Sequence, residues 1–364
     1  MKDKPDYVLI GSVVILILLG VVILTSVSAA LSQEKFNSPT FYLFHHLIFG
    51  LIPGVLLGFV AFKIPLARFK KWSPILLLIN LFLLVLVFIP KIGMTLGGAR
   101  SWVNLGITSF QPSELLKLTF ILYLASWLSA KTEKVKKNFS TTLIAFFAVI
   151  GLISALLFLQ PDVGTLGIIV ITGFLMYFLA GTPWKHALLI IFAVIALLAL
   201  SFNFAPYRLD RLLVLINPSI DPMGISYQIK QALIAIGSGG IFGRTPGMGI
   251  QMFGFLPQPM ADSIFACFAE EWGLIGSLSL IFLFLIFIWR GFAIAKNTPD
   301  KFCQLTALGL SVWIALQAFV NIGSMVGILP LTGIPLPFIS YGGSALVAEL
   351  IGLGILLNIS KNSR

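Results

Sequence analysis

Residues 254–289 read GFLPQPMADSIFACFAEEWGLIGSLSLIFLFLIFIW. A loop broken by Pro257 and Pro259 runs into Asp262, and from Ile264 to Trp289 the chain is apolar for more than the roughly 20 residues a membrane crossing needs. Glu270 and Glu271 are the only charges before Arg290. A bilayer offers no water to backbone polar groups, so a run of this kind is either a helix or a strand of a closed barrel. The polar/apolar alternation of barrel strands is absent, which predicts a helix over 263–289.

Comparable runs lie at 8–31, 42–62, 73–89, 112–128, 141–159, 163–180, 186–204, 303–326 and 344–359. The expected fold is therefore all-α: a polytopic integral membrane protein of about ten transmembrane helices, with 1–364 forming one domain. Composition agrees, with 58% hydrophobic residues, 10% charged residues and a mean hydropathy of +1.03, which together exclude a soluble globule. Cys267 and Cys303 both fall inside expected spans, where a thiol is a small hydrophobe, so no disulfide or metal framework is implied.

Lysine and arginine placement sets the expected orientation. With both termini cytoplasmic, 16 of the 24 basic residues lie on that side, clustered at Lys63 to Lys71, Lys131 to Lys137 and Arg290 to Lys301. This fits the positive-inside rule and accounts for most of the net charge of +11 without a nucleic-acid partner. The first apolar run is longer than a signal-peptide core, so Met1 to Ala30 reads as an uncleaved first helix.

In that topology the Gly- and Pro-rich segments 90–111, 160–164, 205–262 and 327–343 all emerge on the outer face. The longest, 205–262 between helices 7 and 8, exceeds a plain connection. Leu209, Leu212, Leu213 and Ile216, then Ile225, Ile229, Leu233 and Ile236, have helical spacing and predict two short amphipathic helices at the interface. The glycines from Gly237 to Gly254 read first as turns and close packing, and second as phosphate contacts.

Charges at membrane depth need a reason. Asp262 either caps the following helix, alone or with Ser263, or does chemistry at its mouth; the two roles are compatible. Glu114 and Lys117, at i and i+3, share a helix face and read as an ion pair or as a polar seat beneath an outer cavity. Asp162 in QPDVGT reads as a cap. Glu270 and Glu271 should be paired, protonated or water-facing, and Glu349 has no local partner in sequence.

The chain resembles the SEDS family (shape, elongation, division and sporulation), whose members polymerise peptidoglycan from lipid II. GGARSWVNLGITSFQPSELLK at 97–117, QPDVGT at 160–165, PYRLDRL at 206–212, YQIKQALIAIGSGG at 227–240 and GILPLTGIPLPFISYGGS at 327–344 carry the likeness, which spans nearly the whole sequence. The spacing from Gly239-Gly240 to Leu256-Pro257 and the LLNIS at 356–360 resemble the division branch, FtsW, more than the elongation branch, RodA. Gln258, Ala261, Ser263 and Glu349 depart from the family pattern, while Asp262 falls on the family's essential aspartate.

The resemblance implies an inverting glycosyl transfer between lipid-linked disaccharides on the outer face of the cytoplasmic membrane. Asp262 is the candidate general base. The motif positions Arg100, Trp102, Glu114, Lys117, Arg208, Arg211, Gln231 and Ser340 are the candidate substrate-binding residues, with arginines suited to the departing diphosphate. A divalent cation, Mg2+ or Mn2+, is compatible with that chemistry without being required by it. Implied partners are lipid II, a class B penicillin-binding transpeptidase and other divisome or elongasome membrane proteins. The rival expectations are a lipid II flippase, since broken helices with buried charges also build transporters, and a non-catalytic scaffold for a transpeptidase.

Overall fold

The computed structural model describes residues 4–96, 99–104, 106, 108–131, 139–181, 188, 214–215 and 224–361. Helix α1 (Tyr7–Phe36) starts where the Asp6 carboxylate accepts a hydrogen bond from Leu9 N and stops where Asn37 turns left-handed. Helix α2 (Phe41–Lys63) holds a π-turn over Leu47–Leu51. Helices α3 (Leu66–Leu86), α4 (Pro112–Lys131), α5 (Phe139–Leu159) and α6 (Val163–Leu179) follow, then α7 (Ile225–Gly239), α8 (Ile264–Asn297), α9 (Lys301–Met325) and α10 (Gly343–Ser360).

Every expected span coincides with one of these helices except 186–204, which apart from Leu188 lies outside the described residues. Among the described residues, six helices are long and apolar enough to cross a membrane unaided: α1, α2, α3, α8, α9 and α10. The third span is displaced from the expected 73–89. Its helix begins at Leu66 and continues through Pro74, where Ser73 Oγ and Ser126 Oγ donate to the Lys70 carbonyl that the proline cannot serve, so the turn bearing Arg68, Lys70 and Lys71 is helical as well.

Helix α9 lies at the centre, packed against α4, α6, α7, α8 and α10. Trp313, Gln317 and Asn321 on it are buried. Helix α2 runs along α10 with glycines at the seam. A Cβ on Gly58 would stand 2.6 Å from Leu350 O, and one on Gly354 would stand 2.1 Å from Gly58 O, so only glycine permits this approach. The outward sides of α2 and α3, with Val55, Leu56, Phe59, Ile75, Leu78 and Phe82 exposed, form the apolar surface expected of a lipid-facing shell.

Tertiary bonds define two ends. At the end holding the termini, Asp6 pairs with Arg290, its backbone N–H donates to Ser360 Oγ, and Asn358 donates to Ile64 O. At the opposite, loop end, the segment between α3 and α4, expected to be irregular, forms a small antiparallel sheet of β1 (Gly93–Leu96), β2 (Ala99–Asn104) and β3 (Ser109–Phe110). Met94 pairs with Trp102 and Leu96 with Ala99.

Candidate active site

Asp262 stands at the loop end, half-buried, immediately before α8. Three consecutive carbonyls fix this stretch of backbone. Met260 O accepts from Tyr341 N at 2.8 Å, Ala261 O from Ser340 Oγ at 2.6 Å, and Asp262 O from Asn321 Nδ2 at 2.8 Å. All three donors come from α9 or from the loop between α9 and α10, so the C-terminal part of the chain sets where the aspartate sits. The cap position of α8 is Ser263, and the expected cap bond from its side chain is not made. Its hydroxyl instead donates to Pro257 O and accepts from Gln228 Nε2, because the buried turn before α8 offers a carbonyl that would otherwise lack a donor.

Gln228 on α7 is a site residue the sequence motifs did not single out. Its Nε2 stands 3.3 Å from Asp262 Oδ2 and 3.0 Å from Ser263 Oγ. Gln231, one turn further on, is half-buried in the same helix. Helix α7 confirms the second predicted amphipathic segment, but its buried face is Ile229, Ala232 and Ala235, with Leu233 turned outward. The small alanines let α7 lie close to α8, and a Cβ on Gly239 would come within 2.1 Å of Ala269 O.

Behind the aspartate lies a polar network that is almost wholly buried. Lys117 Nζ is 2.8 Å from Glu114 Oε2 and 2.8 Å from Gln317 Oε1, and it lies over the Trp313 ring. Trp313 Nε1 also donates to Gln317 Oε1. Gln317 Nε2 donates to Pro335 O and to Glu349 Oε1, and Phe338 N donates to Glu349 Oε2. Glu349 thus finds partners on α9 and in the adjacent loop that local sequence could not reveal. Glu114 and Lys117 form the expected ion pair and are buried, so any effect they have on substrate passes through the groups they hold.

The loop they hold is strained. Phe338 has φ +63°, a left-handed conformation that costs a bulky residue about 1–3 kcal/mol. Capture of its N–H by Glu349 and the Ser340 bonds to Leu336 offset that cost. Ser340 Oγ accepts from Leu336 N while its proton goes to Ala261 O, so the hydroxyl braces the Asp262 turn. Beyond it, Tyr341 OH meets His45 Nδ1 at 2.9 Å, and burial pushes the phenol up to about 12, keeping it protonated.

Glu270 and Glu271 are paired, and their partners explain the glycine-rich loop. Helix α8 is broken at Gly273, whose φ is +66°, and residues 240–245 fill the break. Arg244 N and Thr245 N donate to the carbonyls of Glu270 and Glu271, while Leu274 N and Ile275 N donate to those of Gly240 and Ile241. The Glu270 carboxylate accepts from Ile250 N and Gln251 N, and that of Glu271 from Gly247 N and Ser26 Oγ. The glycines therefore serve turns and close packing.

Asp162 caps α6, accepting from Thr165 N at 3.1 Å and from Ser113 Oγ at 2.9 Å. Arg100 and Trp102 share the half-exposed face of β2, and the sheet is tied to the site where Gln111 N donates to Ser344 Oγ. Arg208 and Arg211 lie outside the described residues, as does the first predicted amphipathic helix apart from residues 214–215, which are helical. Among the described residues, no group of three His, Cys, Asp or Glu side chains stands together as a metal cage.

The sequence profile of the FtsW/RodA/SpoVE cell cycle proteins matches residues 7–364. The chain belongs to this family. Stage V sporulation protein E of Bacillus subtilis is 40% identical over 100% of the chain and 99% of its own length. The Coxiella burnetii protein named probable peptidoglycan glycosyltransferase FtsW is 39% identical over 95% of the chain and 93% of its own length. Among solved structures, a chain of a peptidoglycan synthase complex coordinating polymerization and crosslinking superposes with a TM-score of 0.79 at 30% identity, covering 98% of this chain and 97% of that one. Thermus thermophilus RodA gives 0.71 at 29%, covering 99% and 97%. Within this FtsW/RodA/SpoVE framework, the Ser263 hydroxyl is bonded beside Asp262, while the Glu349 carboxylate is held by Gln317 Nε2 and Phe338 N.

Proposed function

We propose that this chain is a membrane-embedded peptidoglycan glycosyltransferase that polymerises lipid II at the outer face of the bacterial cytoplasmic membrane, with Asp262 as general base. The observation that carries the reading is the placement of Asp262: half-buried at the mouth of α8, its backbone fixed through three successive carbonyls. The carboxylates of Asp162, Glu270 and Glu271 at the same end are instead spent on backbone amides. Basic clusters at the terminal end and the gathered loops at the other support a cytoplasmic terminal end and an outer site.

The acceptor hydroxyl gives its proton to the Asp262 carboxylate while its oxygen bonds to the donor's anomeric carbon. The bond from that carbon to the undecaprenyl diphosphate breaks, and the diphosphate leaves as an anion. Inversion needs one base and no carboxylate nucleophile. Arg100 on β2, with Arg208 and Arg211, is suited to the leaving diphosphate, and Trp102 beside Arg100 is suited to stacking on sugar or lipid. Gln231 lies one turn from Gln228 on the helix that faces Asp262. A divalent cation would supply charge stabilisation to the leaving diphosphate alongside these arginines. The expected partner is a class B penicillin-binding transpeptidase, with other divisome or elongasome membrane proteins around it.

Glycan synthesis from lipid II by purified wild type and Asp262→Asn, each alone and with a cognate transpeptidase, tests this reading. Asparagine keeps the shape of the side chain but cannot take a proton, so polymerisation should fall by about two to four orders of magnitude. Equal rates at matched folded concentration would remove Asp262 from the chemistry. A flippase would yield no glycan from wild type and near-unchanged translocation from the variant.

A further inference from the structure

Two side chains of the buried network have orientations that follow from hydrogen-bond bookkeeping alone. Gln317 Oε1 receives Lys117 Nζ and Trp313 Nε1, both at 2.8 Å, and neither an ammonium nor an indole nitrogen can accept. The amide of Gln317 is therefore assigned without ambiguity, and its nitrogen must face Pro335 O at 3.2 Å and Glu349 Oε1 at 3.0 Å. The second oxygen of Glu349 takes Phe338 N at 2.8 Å. Position 349 thus meets two donors and needs two acceptors, which a carboxylate supplies and a carboxamide does not.

From Phe338 the connection to the candidate base is short. Phe338 lies in the turn Leu336–Ser340, closed by Ser340 N and Ile339 N on Leu336 O and by Leu336 N on Ser340 Oγ. The same Ser340 hydroxyl and the next amide, Tyr341 N, hold Ala261 O and Met260 O. One turn along α9 from Gln317, Asn321 bridges Ile334 O and Asp262 O. The side chain of Glu349 is 2% exposed and touches neither Asp262 nor the loop-end surface where a lipid-linked sugar would lie.

We propose that Glu349 and Gln317 are positioning residues for the Asp262 chemistry: matched donors and acceptors along Lys117–Gln317–Glu349–Phe338 hold the Leu336–Tyr341 turn that fixes the backbone bearing Asp262. The proposal rests on the glycosyltransferase reading for its kinetic consequence, but its structural consequence stands apart from that reading. Substituting Glu349→Gln sets an NH2 group against either Gln317 Nε2 or Phe338 N. The strained turn loses an anchor, and the base is displaced while the surfaces that bind lipid II are untouched.

Two measurements on full-length protein in lipid nanodiscs test this. Amide hydrogen exchange of the peptide spanning Leu336 to Tyr341 should rise about ten-fold or more in Glu349→Gln, the scale of one buried hydrogen bond left unmade. Glycan synthesis from lipid II at matched folded concentration should show kcat lowered about ten- to a hundred-fold, the cost of a small misplacement of a catalytic group, with KM within about two-fold of wild type. Hydrogen exchange and kcat within about two-fold of wild type in Glu349→Gln would overturn the proposal, as would a change confined to KM. If Glu349→Gln does not accumulate, Ser340→Ala interrupts the same relay at its other end, and wild-type kcat there would overturn it equally. A wild type that makes no glycan would sink the glycosyltransferase reading, and the hydrogen-exchange arm would still decide the positioning role.

Discussion

Asn321 shows how much one buried side chain can organise. Both of its amide protons go to carbonyls at 2.8 Å, Ile334 O and Asp262 O, and the residue is 1% exposed. Asn321→Ala should leave two carbonyls without donors and cost about 2–6 kcal/mol, at about 1–3 kcal/mol for each unsatisfied buried group. Thermal unfolding in detergent would register the loss, and glycan synthesis should fall with it even at temperatures where the variant stays folded. Gln228→Ala removes a donor to Asp262 Oδ2 from a half-exposed position, so it should cost little stability, within about 1 kcal/mol, while lowering the rate of glycan synthesis at matched folded concentration. Arg208 and Arg211 make a third expectation at this scale: replacing both with glutamine should weaken binding of lipid II in a direct binding assay and leave folding intact. Unchanged binding would return them to anchoring at the membrane interface.

At the scale of elements, the informative one is α8, a helix in two pieces. Its break at Gly273 frees backbone groups that a bilayer could not satisfy, and residues 240–245 satisfy them from the side. Gly243 is what allows this approach: its φ is +83°, and a Cβ there would lie 2.1 Å from Glu271 O. Gly243→Ala should expel the segment, expose the break and destabilise the protein by more than about 2 kcal/mol, since both backbone strain and a backbone clash oppose it. Limited proteolysis between residues 240 and 251 is the direct readout. The same element explains Glu270 and Glu271, whose carboxylates collect loop amides, with Arg244 standing 4.0 Å from Glu270 Oε1 at the edge of the cluster.

At the scale of the whole molecule, α9 and α10 form the centre, and α2 and α3 present their apolar sides outward. A chain so built offers broad helical faces to lipid or to another membrane helix, and it shows no internal repeat of the kind alternating-access transporters use. Together with the likeness to a chain of a peptidoglycan synthase complex, this leads to the expectation that the chain co-purifies with a single-pass class B penicillin-binding transpeptidase. Mild-detergent purification of tagged protein, with transpeptidases detected by a labelled β-lactam, checks it. Recovery of other membrane proteins with no labelled transpeptidase would count against that partner.

The hydropathy of the chain was enough to determine that it is a helical bundle and where most helices run, because a run of 20 apolar residues has few ways to satisfy its backbone. The loop before α8 and the lone aspartate in it were legible too, since proline and charge are costly there in any fold. The Glu114–Lys117 pair followed from helical spacing alone. Everything joining distant residues was decided only by the tertiary structure. Gln228 reaches Asp262 from 34 residues away, and Asn321 from 59. Glu349 finds Gln317 at a separation of 32 residues, a distance at which sequence periodicity carries no information. The break in α8 was hidden for a related reason: Gly273 sits in an unbroken apolar run, and only the segment packed into the gap shows that the helix stops there.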